Sequence, residues 1–102
     1  MIVHVVLGKG RDDLSGEEER ELAEAFGALA SVPGVAELSW GPNFSARSKG
    51  YTHGAVMYFE DREALGAYLQ NERHRTIVQT LDRLMPERLV LDYETGSSGI
   101  VG

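Results

Sequence analysis

The sequence feature that most constrains the fold is the segment Ile2 to Leu7, which is apolar at every position except His4. Side chains alternate between the two faces of a β-strand, so a strand with this composition carries apolar groups on both faces. A second segment, residues 51–59, is also largely apolar on both faces. A chain of 102 residues is long enough for one domain with one core. The fold must therefore cover these two strands from both sides.

Hydrophobic periodicity predicts the other elements. Ser15 and Glu18 have the spacing of a capping box, and the residues after them are apolar at helical spacing, which predicts a first helix. Asp61 and Asn71 are capping residues before two further helical stripes, and Pro86 ends the second stripe. The predicted strands are 2–7, 35–40, 51–59 and 88–94, and the first helix covers about residues 17–30. This order, β-α-β-β-α(α)-β, is the ferredoxin-like α+β arrangement with a four-stranded antiparallel sheet.

The helices of such a fold cover one face of the sheet and leave the other face open. Because the first and third strands are apolar on both faces, the open face would expose aliphatic and aromatic side chains to water. A second copy of the chain, related by twofold symmetry, is the simplest cover for such a face. We therefore expect a homodimer in which the two sheets form a dimeric α/β barrel.

The charge and composition of the chain exclude several classes of protein. The 10 Lys and Arg residues against 16 Asp and Glu give a net charge of −6, which disfavours nucleic acids and anionic membrane surfaces as partners. No apolar run approaches the roughly 20 residues of a membrane span, and the N-terminus lacks the pattern of a signal peptide. The absence of cysteine excludes disulfides and a thiol nucleophile. These features predict a cytoplasmic protein.

Three histidines are the strongest candidates for chemistry. His4 and His53 lie in the first and third strands, which are neighbours in a ferredoxin-like sheet, so we expect them close together across the ladder. His74 falls in the first turn of the last helix, where the helix dipole disfavours the imidazolium and leaves a neutral base. Tyr68 lies six residues earlier and could reach the same pocket. Each residue could instead be a hydrogen-bonded core residue, and the histidine spacing matches no known zinc pattern, so no metal is predicted.

Several short motifs, in a specific order and spacing, point to a known family. They are His4-Val5-Val6-Leu7, Val32-Pro33-Gly34-Val35, Trp40-Gly41-Pro42-Asn43, Ser48-Lys49-Gly50-Tyr51-Thr52-His53, Phe59-Glu60-Asp61-Arg62-Glu63-Ala64-Leu65, Tyr68-Leu69, His74 and Val90-Leu91-Asp92-Tyr93. With these motifs the sequence resembles the stress-responsive α/β-barrel (Dabb) family of the dimeric α/β-barrel superfamily, over about residues 2–94. The resemblance implies one Dabb domain over residues 1–95, and we expect residues 96–102 to be a flexible tail.

The resemblance also implies a site. The family includes plant stress proteins and a polyketide cyclase that closes a ring by aldol condensation. By this resemblance, His74 would be the catalytic base, Tyr68 would orient it or bind the substrate carbonyl, and His53 would belong to the catalytic site. His4 and His53, together with Tyr68 and His74, would bind a small hydrophobic or polyketide-like substrate. The enolisation chemistry of such a site requires no cofactor.

Departures from the family pattern leave the activity open. The segment Asn71 to His74 lacks the first histidine and the proline that many members have there, and Ala25 stands where the cyclase has a tyrosine in its first helix. Some members bind Mg²⁺ through backbone carbonyls, and the matching positions are Leu29, Val32 and Val35. The alternatives to a cyclase or lyase are a non-catalytic stress-response dimer, a cofactor-independent monooxygenase and a haem-handling protein.

Overall fold

In the computed structural model, which describes residues 1–95, a four-stranded sheet carries three helices on one face. The elements in chain order are β1 Ile2–Lys9, α1 Gly16–Leu29, β2 Glu37–Pro42, β3 His53–Phe59, α2 Arg62–Gln70, α3 Glu72–Leu84 and β4 Glu87–Glu94. This order confirms the predicted ferredoxin-like arrangement. The segment predicted to be a flexible tail, residues 96–102, lies outside the described residues.

The sheet is antiparallel and has the strand order β2-β3-β1-β4. β1 and β3 are therefore the inner strands, as their apolar composition predicts. The register pairs His4 with Met57 on β3 and with Asp92 on β4, whereas His53 pairs with Gly8. Residues that pair across a ladder point to the same face, so this register decides which side chains meet.

The helices begin where the sequence predicts. The Ser15 hydroxyl accepts a hydrogen bond from the Glu18 backbone N–H, and the Glu18 carboxylate accepts one from the Ser15 backbone N–H, which confirms the capping box. Asp61 and Asn71 cap α2 and α3, each accepting a hydrogen bond from a backbone N–H of the first turn. No helix within residues 1–95 is long and apolar enough to span a membrane.

The core lies between the helices and one face of the sheet. Alternate residues of the inner strands point into it, and the apolar stripe of each helix packs against them. Its largest fully buried side chains are Leu22, Phe26, Val32, Met57, Phe59, Tyr68, Leu84 and Met85.

The other face of the sheet has no helix over it in the described chain. Leu89, Leu91 and Tyr93 point to this side from β4 and are 52%, 56% and 49% exposed. Val3 and Val5 of β1 pair with Tyr93 and Leu91 and belong to the same face. We call this surface the open face, and its apolar character is the one expected from the sequence.

Several strand boundaries differ from the prediction by one or two residues. The sequence predicts strands at 35–40 and 51–59, whereas β2 is Glu37–Pro42 and β3 begins at His53. Val35 belongs instead to the turn after α1, because its backbone N–H donates to the Val32 carbonyl at 3.4 Å. The apolar pattern alone cannot locate these ends, since turn hydrogen bonds and ladder hydrogen bonds compete for the same backbone groups.

Candidate functional site

A cavity of about 240 Å³ lies between the helix-covered face of the sheet and the three helices. Three of the residues singled out in the sequence, His4, Tyr68 and His74, line this cavity. Most of the remaining wall is apolar, and Arg88 and Asp92 supply its charged groups. An apolar pocket with a few convergent polar groups is the usual form of a site for a small organic ligand.

His74 lies in the first turn of α3, three positions after the capping residue Asn71. Its Nδ1 is buried and has no hydrogen-bond partner among residues 1–95. Burial lowers the pKa of His74; the Leu69 carbonyl opposes this shift, and the nearby His4 and Arg88 lower the pKa further. The imidazole is therefore neutral near pH 7, and a neutral imidazole with an unpartnered nitrogen is suited to accept a proton.

Tyr68 lies in the last turn of α2, close to Asn71, which ends α2 and also caps α3. This shared residue brings the ring centroids of Tyr68 and His74 to 4.4 Å. Tyr68 is 1% exposed, and its hydroxyl donates a hydrogen bond to Met57 Sδ at 3.3 Å. Burial raises the pKa of Tyr68, so the hydroxyl stays protonated and acts as a donor. The two rings are in contact, but the hydroxyl is bound to the sulfur and not to the imidazole.

His4 is held in the cavity wall by Asp92, its ladder partner on β4. His4 Nδ1 forms a hydrogen bond with the Asp92 carboxylate, and His4 is 4% exposed. An ionised carboxylate only accepts hydrogen bonds, so the proton of this bond lies on Nδ1 of His4. Asp92 has no role in the expectations drawn from the sequence. The signal that could have found it is its position in an otherwise apolar segment, one strand away from His4.

The structure does not bring His53 into this cavity. The expectation that His4 and His53 lie close together is wrong, because His53 pairs with Gly8, four residues along β1 from His4. That separation is about 13 Å at the usual rise of a strand. His53 instead stacks on Phe26 with centroids 6.1 Å apart, and its Nδ1 shares a hydrogen bond of 2.8 Å with the Thr52 hydroxyl. Burial lowers the pKa of His53. The catalytic role expected of His53 stays a prediction.

A family comparison agrees with this arrangement of strands and helices. The family model described as the Stress responsive A/B Barrel Domain (Dabb) matches residues 2–95. The chain belongs to the Dabb family. The match covers every strand and helix described above, including the residues around the cavity. It confirms the family expected from the sequence motifs.

Two curated proteins and one solved structure are similar to this chain over most of its length. The stress-response A/B barrel domain-containing protein HS1 of Arabidopsis thaliana is 27% identical over 99 residues, which cover 94% of this chain and 91% of that protein. Olivetolic acid cyclase of Cannabis sativa is 22% identical over 95 residues, which cover 90% of this chain and 94% of that protein. A solved ferredoxin-like protein of Jannaschia, described as dimeric, is 26% identical with a TM-score of 0.76 and covers 92% of this chain and 98% of its own.

Within this Dabb fold, Phe26 is the residue of α1 that forms part of the cavity wall beside Leu29. Ala25, the position matched to the cyclase tyrosine, does not line this cavity and lies in a separate surface groove with Ile77 of α3. Phe26 stacks on Trp40 with ring centroids 5.1 Å apart. The wall at this point is therefore aromatic and carries no hydroxyl.

Two of the three backbone carbonyls that the family resemblance matches to Mg²⁺ ligands, those of Leu29 and Val32, accept backbone hydrogen bonds here. The Leu29 carbonyl accepts the Val32 N–H at 3.1 Å, and the Val32 carbonyl accepts the Val35 N–H at 3.4 Å. Within residues 1–95, no group of three or more His, Asp or Glu residues is placed to hold a metal ion.

Proposed function

We propose that this Dabb protein binds a small hydrophobic ligand with an enolisable carbonyl and acts on it as a cofactor-free cyclase or lyase. The observation that carries the proposal is His74 in the wall of a mostly apolar cavity, with its pKa lowered by burial and its buried Nδ1 without a hydrogen-bond partner within residues 1–95. A buried polar atom without a partner costs free energy in the folded state, and a ligand that hydrogen-bonds to it recovers that free energy. Olivetolic acid cyclase, a relative over most of the chain, supports a polyketide-like ligand.

In the proposed reaction His74 removes a proton from a carbon that lies between two carbonyl groups. The electron pair of that C–H bond moves onto a carbonyl oxygen and gives an enolate. In a cyclase, the enolate carbon attacks a second carbonyl of the same ligand, the π electrons of that carbonyl move onto its oxygen, and this oxygen takes the proton held by His74. Arg88 lines the cavity, and its positive charge, which is shared with the Asp82 carboxylate and the Met85 carbonyl, would assist the developing enolate. His4, whose Nδ1–H is directed at Asp92, offers its Nε2 lone pair and would accept a hydrogen bond from an enol or hydroxyl group of the ligand. The Tyr68 ring restrains the orientation of the His74 imidazole.

A second function, binding without turnover, is favoured by one contact. The Tyr68 hydroxyl is bound to Met57 Sδ and therefore does not point at the imidazole as a catalytic partner would. In this alternative the cavity holds the same class of ligand without turnover, and the protein serves in the stress response after which the family is named.

The assembly that goes with either function is a homodimer. The open face carries half-exposed Leu89, Leu91 and Tyr93, which a second sheet would remove from water. The Jannaschia protein with the same fold is described as dimeric, which supports this assembly. Sedimentation equilibrium at micromolar concentration tests it, and a monomeric protein would contradict it.

Deuterium exchange at the central methylene of 1-phenylbutane-1,3-dione, followed by proton NMR in D₂O, tests the proposed chemistry. We expect the wild-type protein to accelerate exchange over buffer, and His74→Gln to lose at least about 100-fold of that acceleration, the typical contribution of a general base. Arg75→Gln, an exposed neighbour on the same helix, is the matched control and should keep the wild-type rate.

The same experiment separates the two candidate functions. Binding of the diketone is measured in parallel through its effect on the His4 and His74 ring resonances. Binding without accelerated exchange would favour the non-catalytic function. Absence of binding, or equal exchange rates for the wild type and His74→Gln, would contradict the proposed enzymatic activity.

A further inference from the structure

Two glycines pair in the open face of the sheet and leave a depression there. Gly41 of β2 pairs with Gly54 of β3, and Gly54 also pairs with Leu7 of β1. The depression measures about 370 Å³, and Leu7 and Val56 form part of its wall. A Cβ atom built on Gly41 would meet no atom of residues 1–95 within 4 Å, so no contact within the described chain requires glycine there. We call this depression the glycine socket.

The opposite edge of the open face has the complementary shape. Leu89, Leu91 and Tyr93 stand on β4, at the other side of the strand order β2-β3-β1-β4, and form a ridge of half-exposed apolar side chains. Leu89 pairs with Leu7, so it stands in the same row across the sheet as the two glycines. The open face therefore carries the glycine socket at one edge and the protruding side chain of Leu89 at the other, at the same level along the strands.

Twofold symmetry turns this layout into a contact. When two such faces pack with the axis running parallel to the strands, β4 of each copy lies over β2 and β3 of the other, and the level along the strands is conserved. We propose that Leu89 of each subunit fills the glycine socket of a second copy of this chain, giving two equivalent contacts that fix the register of the dimer. This inference rests on the homodimer included in the proposed function.

The dimensions of the face agree with this occupant. Four strands at about 4.8 Å spacing and eight residues at about 3.3 Å rise give a projected area on the order of 400–500 Å². Side-chain relief raises the accessible area of such a face toward the roughly 800 Å² that each partner contributes in a stable complex. A small peptide or ligand in the socket would leave the ridge in water, whereas a second copy covers both.

A pair of complementary substitutions tests the contact. Gly41→Val fills the glycine socket, and Leu89→Ala removes most of the side chain that is proposed to occupy it. Because Leu89 is about half exposed in the single chain, losing its burial is expected to weaken each contact about tenfold and the symmetric pair about a hundredfold. The double variant Gly41→Val/Leu89→Ala places the new side chain opposite the vacated position, so we expect it to recover at least tenfold over either single variant.

The dissociation constant of the dimer is measured by sedimentation equilibrium, and circular dichroism checks the fold of each variant. Gly27→Ala, an exposed glycine of α1 with open space around its Cβ position, is the control and should keep the wild-type constant. If Gly41→Val does not fold, Gly41→Ala with Leu89→Ala gives the same comparison with a smaller group.

The outcomes separate this inference from the proposed function. A monomeric wild type would overturn both the homodimer and the socket. A wild-type dimer whose dissociation constant is unchanged by Gly41→Val, or single losses that simply multiply in the double variant, would overturn the socket and leave the cavity chemistry standing. Deuterium exchange of the diketone, recorded on the same samples, reports on the cavity independently.

Discussion

The hydrogen bond between His4 and Asp92 gives a prediction whose size can be worked out from burial. Asp92→Ala removes the acceptor of the His4 Nδ1–H, whereas Asp92→Asn keeps an acceptor oxygen at the same place. The two variants therefore separate loss of the hydrogen bond from loss of the charge. The prediction concerns the stability of the cavity wall, and it does not depend on knowing the ligand.

The expected magnitudes follow from the exposure of the two side chains. The side chain of His4 is 6% exposed, so Asp92→Ala leaves a buried donor without a partner, which costs about 1–3 kcal/mol. The Asp92 side chain is 40% exposed, and water that enters the vacated space offsets part of this cost. We expect the lower half of the range, about 1–2 kcal/mol, for Asp92→Ala and about 0.5–1 kcal/mol for Asp92→Asn.

Urea denaturation at pH 7, followed by circular dichroism, measures both free energies of unfolding. In thermal unfolding, the midpoint temperature of Asp92→Ala should lie about 4–16 °C below that of the wild type, because 1 kcal/mol corresponds to about 4–8 °C in a domain of this size. Glu94→Ala is the control, because Glu94 lies on the same strand and pairs with the 82% exposed side chain of Arg62, a surface pair worth about 0–1 kcal/mol. The reasoning is refuted if Asp92→Ala is no more destabilising than Glu94→Ala.

Two further predictions concern Tyr68 and His74. Tyr68→Phe should cost less than about 1 kcal/mol, because it removes only a hydrogen bond to the weak acceptor Met57 Sδ; a loss above about 2 kcal/mol in urea denaturation would show that the hydroxyl has another partner. Burial lowers the pKa of His74 in the folded protein, so the unfolded chain binds more protons and stability falls as pH drops below about 6.5. In His74→Gln the free energy of unfolding should decrease less steeply between pH 6.5 and 5 than in the wild type. Identical pH dependences of the two free energies would contradict a lowered pKa of His74.

The fold was predictable from the sequence because local signals agree with the global arrangement. The apolar composition of Ile2–Lys9 marks an inner strand, and the capping side chains of Ser15, Asp61 and Asn71 mark the helix starts. The contact between Tyr68 and His74 was also predictable, because both residues flank one capping residue and local geometry fixes their separation.

The rest of the site depends on register, which the sequence does not encode locally. His4 and His53 lie on adjacent strands, but only the pairing of His4 with Met57 reveals that they stand four residues apart along the sheet. The same pairing brings Asp92 to His4 across β1 and β4, over a separation of 88 residues in the chain. Ala25 and Phe26 are successive residues of α1, so their side chains point about 100° apart around the helix axis. The apolar stripe of the sequence includes both residues and does not show which of them faces the cavity.

Strand β4 contributes side chains to both the cavity and the open face. Arg88, Val90 and Asp92 point into the ligand cavity from one side of the strand, and the alternate residues between them form the ridge on the other. An occupant of the cavity that displaced β4 would therefore also displace the ridge that the proposed subunit contact uses. With such a coupling, reciprocity requires that whatever tightens assembly also alters affinity for the occupant, so titrations of this protein would depend on its own concentration.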